Sequence, residues 1–181
     1  MIDTLRLRLR PWWDDDFAHM AEIHADPEMM ELLGGPMDRA ASDAWIARQM
    51  VHYGREGFCF WAVEACGGVA PLIGAVGLLR MRDGMPMAGG IEIGWRIGRK
   101  FWGNGYATEA ARAAISDGFD NIGIPEIVAF TVPHNTRSRT VMEKLGMQRD
   151  PADDFDHPRL PTNSPLRRHV LYRLRARYFV K

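Results

Sequence analysis

A chain of 181 residues that is 46% hydrophobic, 10% aromatic and 25% charged has the make-up of one ordinary globular domain. It is long enough to bury roughly 70% of the surface its unfolded form exposes, which excludes the charge-rich, hydrophobicity-poor class of disordered proteins. Its 23 Lys and Arg balance 23 Asp and Glu, arguing against a protein that works by coating nucleic acid or an acidic membrane.

Leu5, Leu7 and Leu9 alternate with Arg6, Arg8 and Arg10 up to Pro11, the period of a half-buried strand. Helical spacing follows over 14 to about 26 and 38 to about 53. Each stretch begins at an Asp able to cap its first turn, and Gly34, Gly35 and Pro36 break the chain between them. Segments 58–65 (FCFWAVEA) and 70–81 (APLIGAVGLLRM), joined through Gly67-Gly68, predict an antiparallel hairpin. The turn-rich run 82–90 then leads to a third strand, 91–97 (IEIGWRI), completing a meander. Ala107, Ala110, Ala111, Ala114, Ile115 and Gly118 share one helical face over 105 to about 120, and 126–132 (EIVAFTV) is an almost wholly apolar strand. Strand, crossover helix and strand make one right-handed βαβ unit. A short helix over 134–147 starts at an Asn135 cap and stops at Gly146. Pro151, Pro158, Pro161 and Pro165 make 149–165 a long loop without an element, and 167–176 closes the chain as a strand. Cys59 and Cys66 lack metal-site or redox-pair spacing and read as reduced thiols. With neither a signal-like nor a membrane-spanning apolar run, the expected address is the cytoplasm.

The most informative segment is WGNGYATEA (102–110), a glycine-spaced turn that opens directly into a helix after a strand. Gly103 and Gly105 let the backbone curl with its amides inward, and the helix start adds unsatisfied N–H groups and about half a positive charge. Such a turn suits phosphate oxygens. No Gly-Lys-Ser/Thr follows and the third glycine of the dinucleotide fingerprint is missing, so neither a P-loop nor a Rossmann site is indicated. The alternative is a glycine-rich connection with no ligand.

IEIGWRIGRKFWGNGYATEA (91–110), followed by NTRSRTVMEKLGM (135–147), resembles the cofactor-binding core of the GNAT acetyltransferases. Within that superfamily the nearest branch is that of the ribosomal-protein N-terminal (Rim-type) acetyltransferases. The resemblance spans nearly the whole chain, from the TLRLRLRP opening to the FDHP and LRRHVLYRL segments near its end. It implies a mixed α/β (α+β) fold in a single domain over 1–181. A mostly antiparallel sheet of about seven strands would splay at one parallel pair, flanked by about four helices. It also implies that acetyl-CoA is the co-substrate, with no metal. Backbone amides along Trp102, Gly103, Asn104, Gly105, Tyr106, Ala107 and Thr108 would hold the CoA pyrophosphate. Trp102 departs from the Gln or Arg of the family pattern, and a backbone contact survives that change. The pantetheine arm would pair with the backbone of Trp95, Arg96 and Ile97, with the other wall near 129–132 and with Asn135 bonding it in addition to capping its helix.

Acetyl transfer from a thioester needs a neutral amine. A lysine-like amine with pKa about 10.4 is neutral about once in 2,500 molecules at pH 7, an α-amine near 7.8 about once in seven. The alternation in 91–97 puts Ile91, Ile93, Trp95 and Ile97 on one face and Glu92, Gly94 and Arg96 on the other. Glu92, partly desolvated there, is the candidate base, directly or through water; the alternative is that it ties down Arg or backbone groups across the sheet. Many relatives place a thiolate-protonating Tyr seven residues after the leading Asn, but here that position is Met142. By the resemblance, Ser138 is the hydroxyl that hydrogen-bonds the departing thiolate; otherwise it is an ordinary first-turn residue.

Arg99, Lys100, Arg137, Arg139 and Lys144 are candidates for the CoA 3′-phosphate, with surface solvation the plainer explanation of each. Asp153, Asp154, Asp156 and His157 resemble a metal cluster only in composition, and read instead as a mobile acidic loop. That loop, or Asp14, Asp15 and Asp16, would serve to attract a cationic amine. His24, His52, His134 and His169 lack triad spacing, and Tyr172 reads as core. The expected activity is N-acetylation of a primary amine by a monomer or homodimer, without nucleic acid or membrane. A non-catalytic acyl-CoA sensor and a nucleotide-binding or hydrolytic protein are the alternatives. The acceptor, whether a protein N-terminus, an amino acid, a polyamine or an aminoglycoside, is not fixed by the sequence.

Overall fold

A computed structural model describes residues 1–180. The chain folds as β1 (Ile2–Asp3), β2 (Leu7–Arg10), α1 (Asp16–Ala25), α2 (Pro27–Met30), α3 (Arg39–Glu56), β3 (Phe60–Ala65), β4 (Ala70–Arg80) and β5 (Ile91–Ile97). It continues through α4 (Tyr106–Asp117), β6 (Glu126–Thr131), α5 (Thr136–Lys144), β7 (Gln148–Arg149), β8 (Phe155–Asp156) and β9 (Arg168–Arg175). The sheet runs β1-β2-β3-β4-β5-β6-β9-β7, with β8 on β9. Every pairing is antiparallel except β5 with β6, the pair that α4 connects.

The ends are set by local chemistry. Asp38 caps α3 by accepting from the Ala41 amide at 2.7 Å, and Gly57, at φ 78°, ends it. Asp26 caps α2 with Pro27 in the first helical position. Gly67 and Gly68 adopt the left-handed conformation that the β3–β4 turn needs.

The sheet separates two main cores, and a smaller cluster of Met81, Met85, Val128, Phe155 and Leu171 lies apart from them. On one face α4 packs Ala110, Ala111, Ala114 and Ile115 against Leu7, Leu9, Val76, Ile91, Ile93 and Ile127. On the other, α1–α3 bring Met20, Ile23, Met30, Trp45 and Ile46 onto Phe60, Ala62, Leu72 and Ala75. β5 and β6 meet only at Ile91↔Ile127 and Glu92↔Val128. Beyond that point β5 stays with β4 as far as Gly74↔Ile97, while β6 stays with β9 as far as Thr131↔Val170. The parallel pair therefore opens into a V.

Five expectations are revised. The sheet has nine strands, because β1, β7 and β8 are two-residue strands too short to carry a period, and α2 raises the helices to five. Leu5 is 93% exposed at a hairpin tip closed by the Thr4 amide on the Leu7 carbonyl, so the strand begins at Leu7. Arg10, on the polar side of the alternation, is buried because α1 covers it. It makes a two-point pair with Asp16 at 2.7 and 2.9 Å, bonds Glu64 at 3.0 Å and stacks on Trp13. Segment 149–165 contains a 3₁₀ turn and β8.

Candidate active site

After β5 the chain makes a 3₁₀ turn (Arg99–Phe101) and reaches α4 through Trp102, Gly103, Asn104 and Gly105. Gly103 and Gly105 have φ of 79° and 78°, a conformation that disfavours any residue with a Cβ. The Trp102 indole N–H donates to the Ile97 carbonyl at 2.7 Å, and the Asn104 amide donates to the Phe101 and Trp102 carbonyls at 3.1 Å, so both side chains fold back to shape the loop. The first closed helical ring is Glu109 N–H to Gly105 C=O. Before it, the amide N–H groups of Gly103, Asn104, Gly105, Tyr106, Ala107 and Thr108 donate to no acceptor among the described residues. Arg6 lies over the Tyr106 ring at 4.8 Å and is paired with Glu109 beside the loop. Sequence reasoning missed Arg6, since only the packing of β2 against α4 brings it there.

The V opens immediately upstream. From Ile93 to Ile97 the β6-facing edge of β5 has no strand partner, which leaves Trp95 and Arg96 backbone groups in the gap, while the Ile97 carbonyl accepts from Trp102. The opposite wall is Ala129–Thr131, paired on its far side with β9. At the top of that wall Asn135 caps α5. Its Oδ1 accepts from the Ser138 amide at 3.1 Å and its Nδ2 donates to Thr131 Oγ1 at 2.9 Å. The Ser138 side chain is half-buried, and its hydroxyl has no hydrogen-bond partner among the described residues. Arg137 stacks on Trp102 at 4.3 Å and lies 3.5 Å from Glu28, linking the start of α5 to the glycine loop. Met142 is in the α4-side core, so no hydroxyl stands at its position.

The alternation of β5 holds. Ile91, Ile93 and Ile97 are in the α4-side core with Trp95 against them, which turns Glu92, Gly94 and Arg96 toward α1 and α3. The Glu92 carboxylate makes no hydrogen bond or ion pair among the described residues. Burial pushes it up to about 7, against the pull of Arg82 and Arg96. Gly94 leaves room for the Phe60 ring: a Cβ there would stand 2.6 Å from Phe60 Cζ. Phe60 in turn stacks with Trp45 at 5.7 Å. Gly94→Ala is expected to cost about 1–3 kcal/mol by overpacking, with Phe60→Leu recovering part of it, as read by denaturant unfolding of the single and double variants.

Arg96 Nη1 lies 2.9 Å from His24 Nε2, and its guanidinium lies over Trp45 at 4.6 Å. A guanidinium only donates, so Nε2 accepts and Nδ1–H donates to Ser42 Oγ at 2.8 Å. Burial first, and the Arg96 charge second, hold His24 down at about 4, so it is neutral. One turn beyond Trp45, Gln49 donates through Nε2 to the Trp45 carbonyl at 3.3 Å, which leaves Oε1 buried and unpartnered. His24, Ser42 and Gln49 were missed as site residues. The available signal was two polar residues, Ser42 and Gln49, on the buried stripe of α3.

Most of the acidic candidates are occupied, while Asp14 and Asp15 are exposed and make no side-chain hydrogen bond or ion pair among the described residues. Asp153 pairs with Arg173, Asp154 with Arg149, Asp156 with Arg167 and Arg168, and Asp16 with Arg10. Instead of a mobile acidic loop, 149–165 is a segment tied down by arginines, and among the described residues no group of three potential ligands could hold a metal. Of the basic candidates, Arg99 pairs with Asp26 and Glu28 and Arg139 bonds Tyr172, while Lys100 lies over Phe101 and Lys144 ends α5. Tyr172 is core, as expected.

Residues 6–148 match the family model described as an acetyltransferase (GNAT) domain. The uncharacterized protein YkkB of Bacillus subtilis (strain 168) is 31% identical over 145 residues, which are 80% of this chain and 83% of YkkB. The uncharacterized N-acetyltransferase YoaA of the same organism is 30% identical over 152 residues, 83% and 84% of the two chains. Among solved structures, a GNAT-family acetyltransferase from Bacillus anthracis is similar with a TM-score of 0.80 at 25% identity, over 97% of this chain and 98% of its own.

Proposed function

The chain belongs to the GNAT acetyltransferase family, whose members use acetyl-CoA as co-substrate, and we propose that it moves the acetyl group from that thioester directly to a primary amine. The observation that carries this reading is the run of six unbonded amides at the head of α4, beside the open V. Amides 103–108 hold the pyrophosphate, helped by the positive end of α4. The free edge of β5 at Trp95 and Arg96, continuing to Ile97, pairs with the pantetheine arm as an added strand would, and Asn135 fixes the opposite wall. Glu92 takes the proton as the amine nitrogen bonds to the carbonyl carbon. The C–S bond then breaks, and the Ser138 hydroxyl donates a hydrogen bond to the departing thiolate. A carboxyl near 7 is half ionised at neutral pH, which suits a base for an α-amine.

In calorimetric titrations CoA should bind at least about a hundredfold more tightly than pantetheine, since only CoA carries the diphosphate that charge-assisted amide bonds hold. Equal affinities would remove the loop from the binding site. The opening and closing segments favour the ribosomal-protein N-terminal branch, and with it a cytoplasmic address and a protein N-terminus as acceptor, with small amines as the alternative. Met142, where relatives carry a hydroxyl, favours the second reading, an acyl-CoA sensor. Release of free thiol on addition of an amine excludes the sensor.

A further inference from the structure

The acceptor side of β5 has a charge balance opposite to the one a cationic substrate would select. Arg96 makes no ion pair among the described residues: its guanidinium is bonded to a neutral imidazole and stacked on an indole. The charges that act on it are Arg48 and Glu92, and those that act on Glu92 are Arg82 and Arg96. Two arginines thus act on the one carboxylate of this face, and a third, Arg48, acts on Arg96. Asp16 and the carboxylates of 153–156 are held by other arginines, and Asp14 and Asp15 stand exposed before α1. Arg96 and Glu92 are mostly buried but each keeps some exposure, and the two lie on the same side of the sheet. His24 orients the guanidinium fork without neutralising it, and Ser42 fixes the imidazole tautomer from behind. A half-buried guanidinium held this way lacks a counter-ion, and a two-oxygen anion fits its fork.

We propose that the acceptor is a primary amine that also carries a carboxylate, with the amine at Glu92 and the carboxylate on Arg96. The proposal rests on the transfer reading above and names the substrate class for the same site. The two residues lie four apart on one strand face, about 13 Å between Cα atoms, so amine and carboxylate are separated by several bonds. A compact α-amino acid is too short. A peptide N-terminus with an acidic second residue and an ω-amino acid both have the required reach.

The test uses the full chain, acetyl-CoA and two matched acceptor pairs. One pair is Ser-Asp-Ala-amide against Ser-Asn-Ala-amide; the other is 6-aminohexanoate against 6-aminohexanamide. Thiol release gives kcat/KM for each. The carboxylate member of at least one pair should be favoured about tenfold or more, and the pair that responds identifies the source. Arg96→Gln should collapse that ratio toward one, and Arg96→Lys, which keeps the charge but not the fork, should retain part of it. Equal rates within both pairs overturn the proposal, and need only the unmodified protein. A preference that survives Arg96→Gln, in a variant whose thermal transition shows it folded, overturns it as well. No thiol release with any of the four amines overturns the transfer reading, and this proposal with it.

Discussion

Glu92→Gln is expected to lower turnover by about tenfold or more and to abolish the rise in kcat/KM that the native enzyme shows as pH passes through about 7. The carboxylate is the base form, and burial delays its appearance from the ordinary 4.5 to about 7, so activity through this group grows with pH across that window. The variant should respond to pH only through its amine substrate. The same shift predicts an opposite effect on stability. The fold prefers the neutral carboxyl, so this group's contribution is fully present below pH 4.5 and is lost as pH rises through about 7. Gln carries no charge to desolvate. Glu92→Gln should therefore match the native protein in thermal stability at pH 4 and exceed it at pH 8. Unchanged kcat at pH 7 removes Glu92 from the base role; an unchanged difference in Tm between the two pH values shows that its carboxyl is not desolvated.

Asp16→Ala should be the most damaging single change to the fold, at about 3 kcal/mol or more. Arg10 and Asp16 are 1% and 2% exposed, and both carboxylate oxygens are used on the guanidinium. Asp16 Oδ2 also accepts from the Trp13 amide at 2.8 Å. Removing it leaves Arg10 with the more open Glu64 and two carbonyls, a charge poorly compensated in a dry site. Replacing Arg10 and Asp16 together by Met and Leu should be less destabilising than the single change. Urea unfolding of both variants measures the difference; equal losses would mean that the cost is lost packing and not the stranded charge.

The parts of the site that were legible in the sequence rest on local physics. The alternation of 91–97 gave the facing of Glu92 because one strand alone sets its own period. The glycines at 103 and 105 announced a left-handed backbone whatever lies around them, and Asn135 and Asp38 announced caps from residues three positions away. What sequence reasoning missed depends on distant segments meeting. Arg10 followed the solvent-facing rhythm of its strand, yet α1 arrives to bury it. His24 and Arg96, 72 residues apart, are joined only because α1 lies across the end of β5. The aspartates near 153 gave no sign of the arginines on β9 and β7 that neutralise them. The meander, the crossover and the V were readable, while the charge of the acceptor face was not.

The two cores give the molecule a division of labour. One lies between the sheet and α4, behind the loop; the other lies between the sheet and α1–α3, and β3 and β4, which send alternate side chains into each, are the main partition between them. Trp102 packs against both, and Arg137 joins it to Glu28 of α2, so mutations on opposite sides combine additively only away from that contact. Over generations the helices before β3 are free to drift toward new amines while the coenzyme grip stays constant. A library confined to the buried stripe of α3 is the efficient way to retarget the protein.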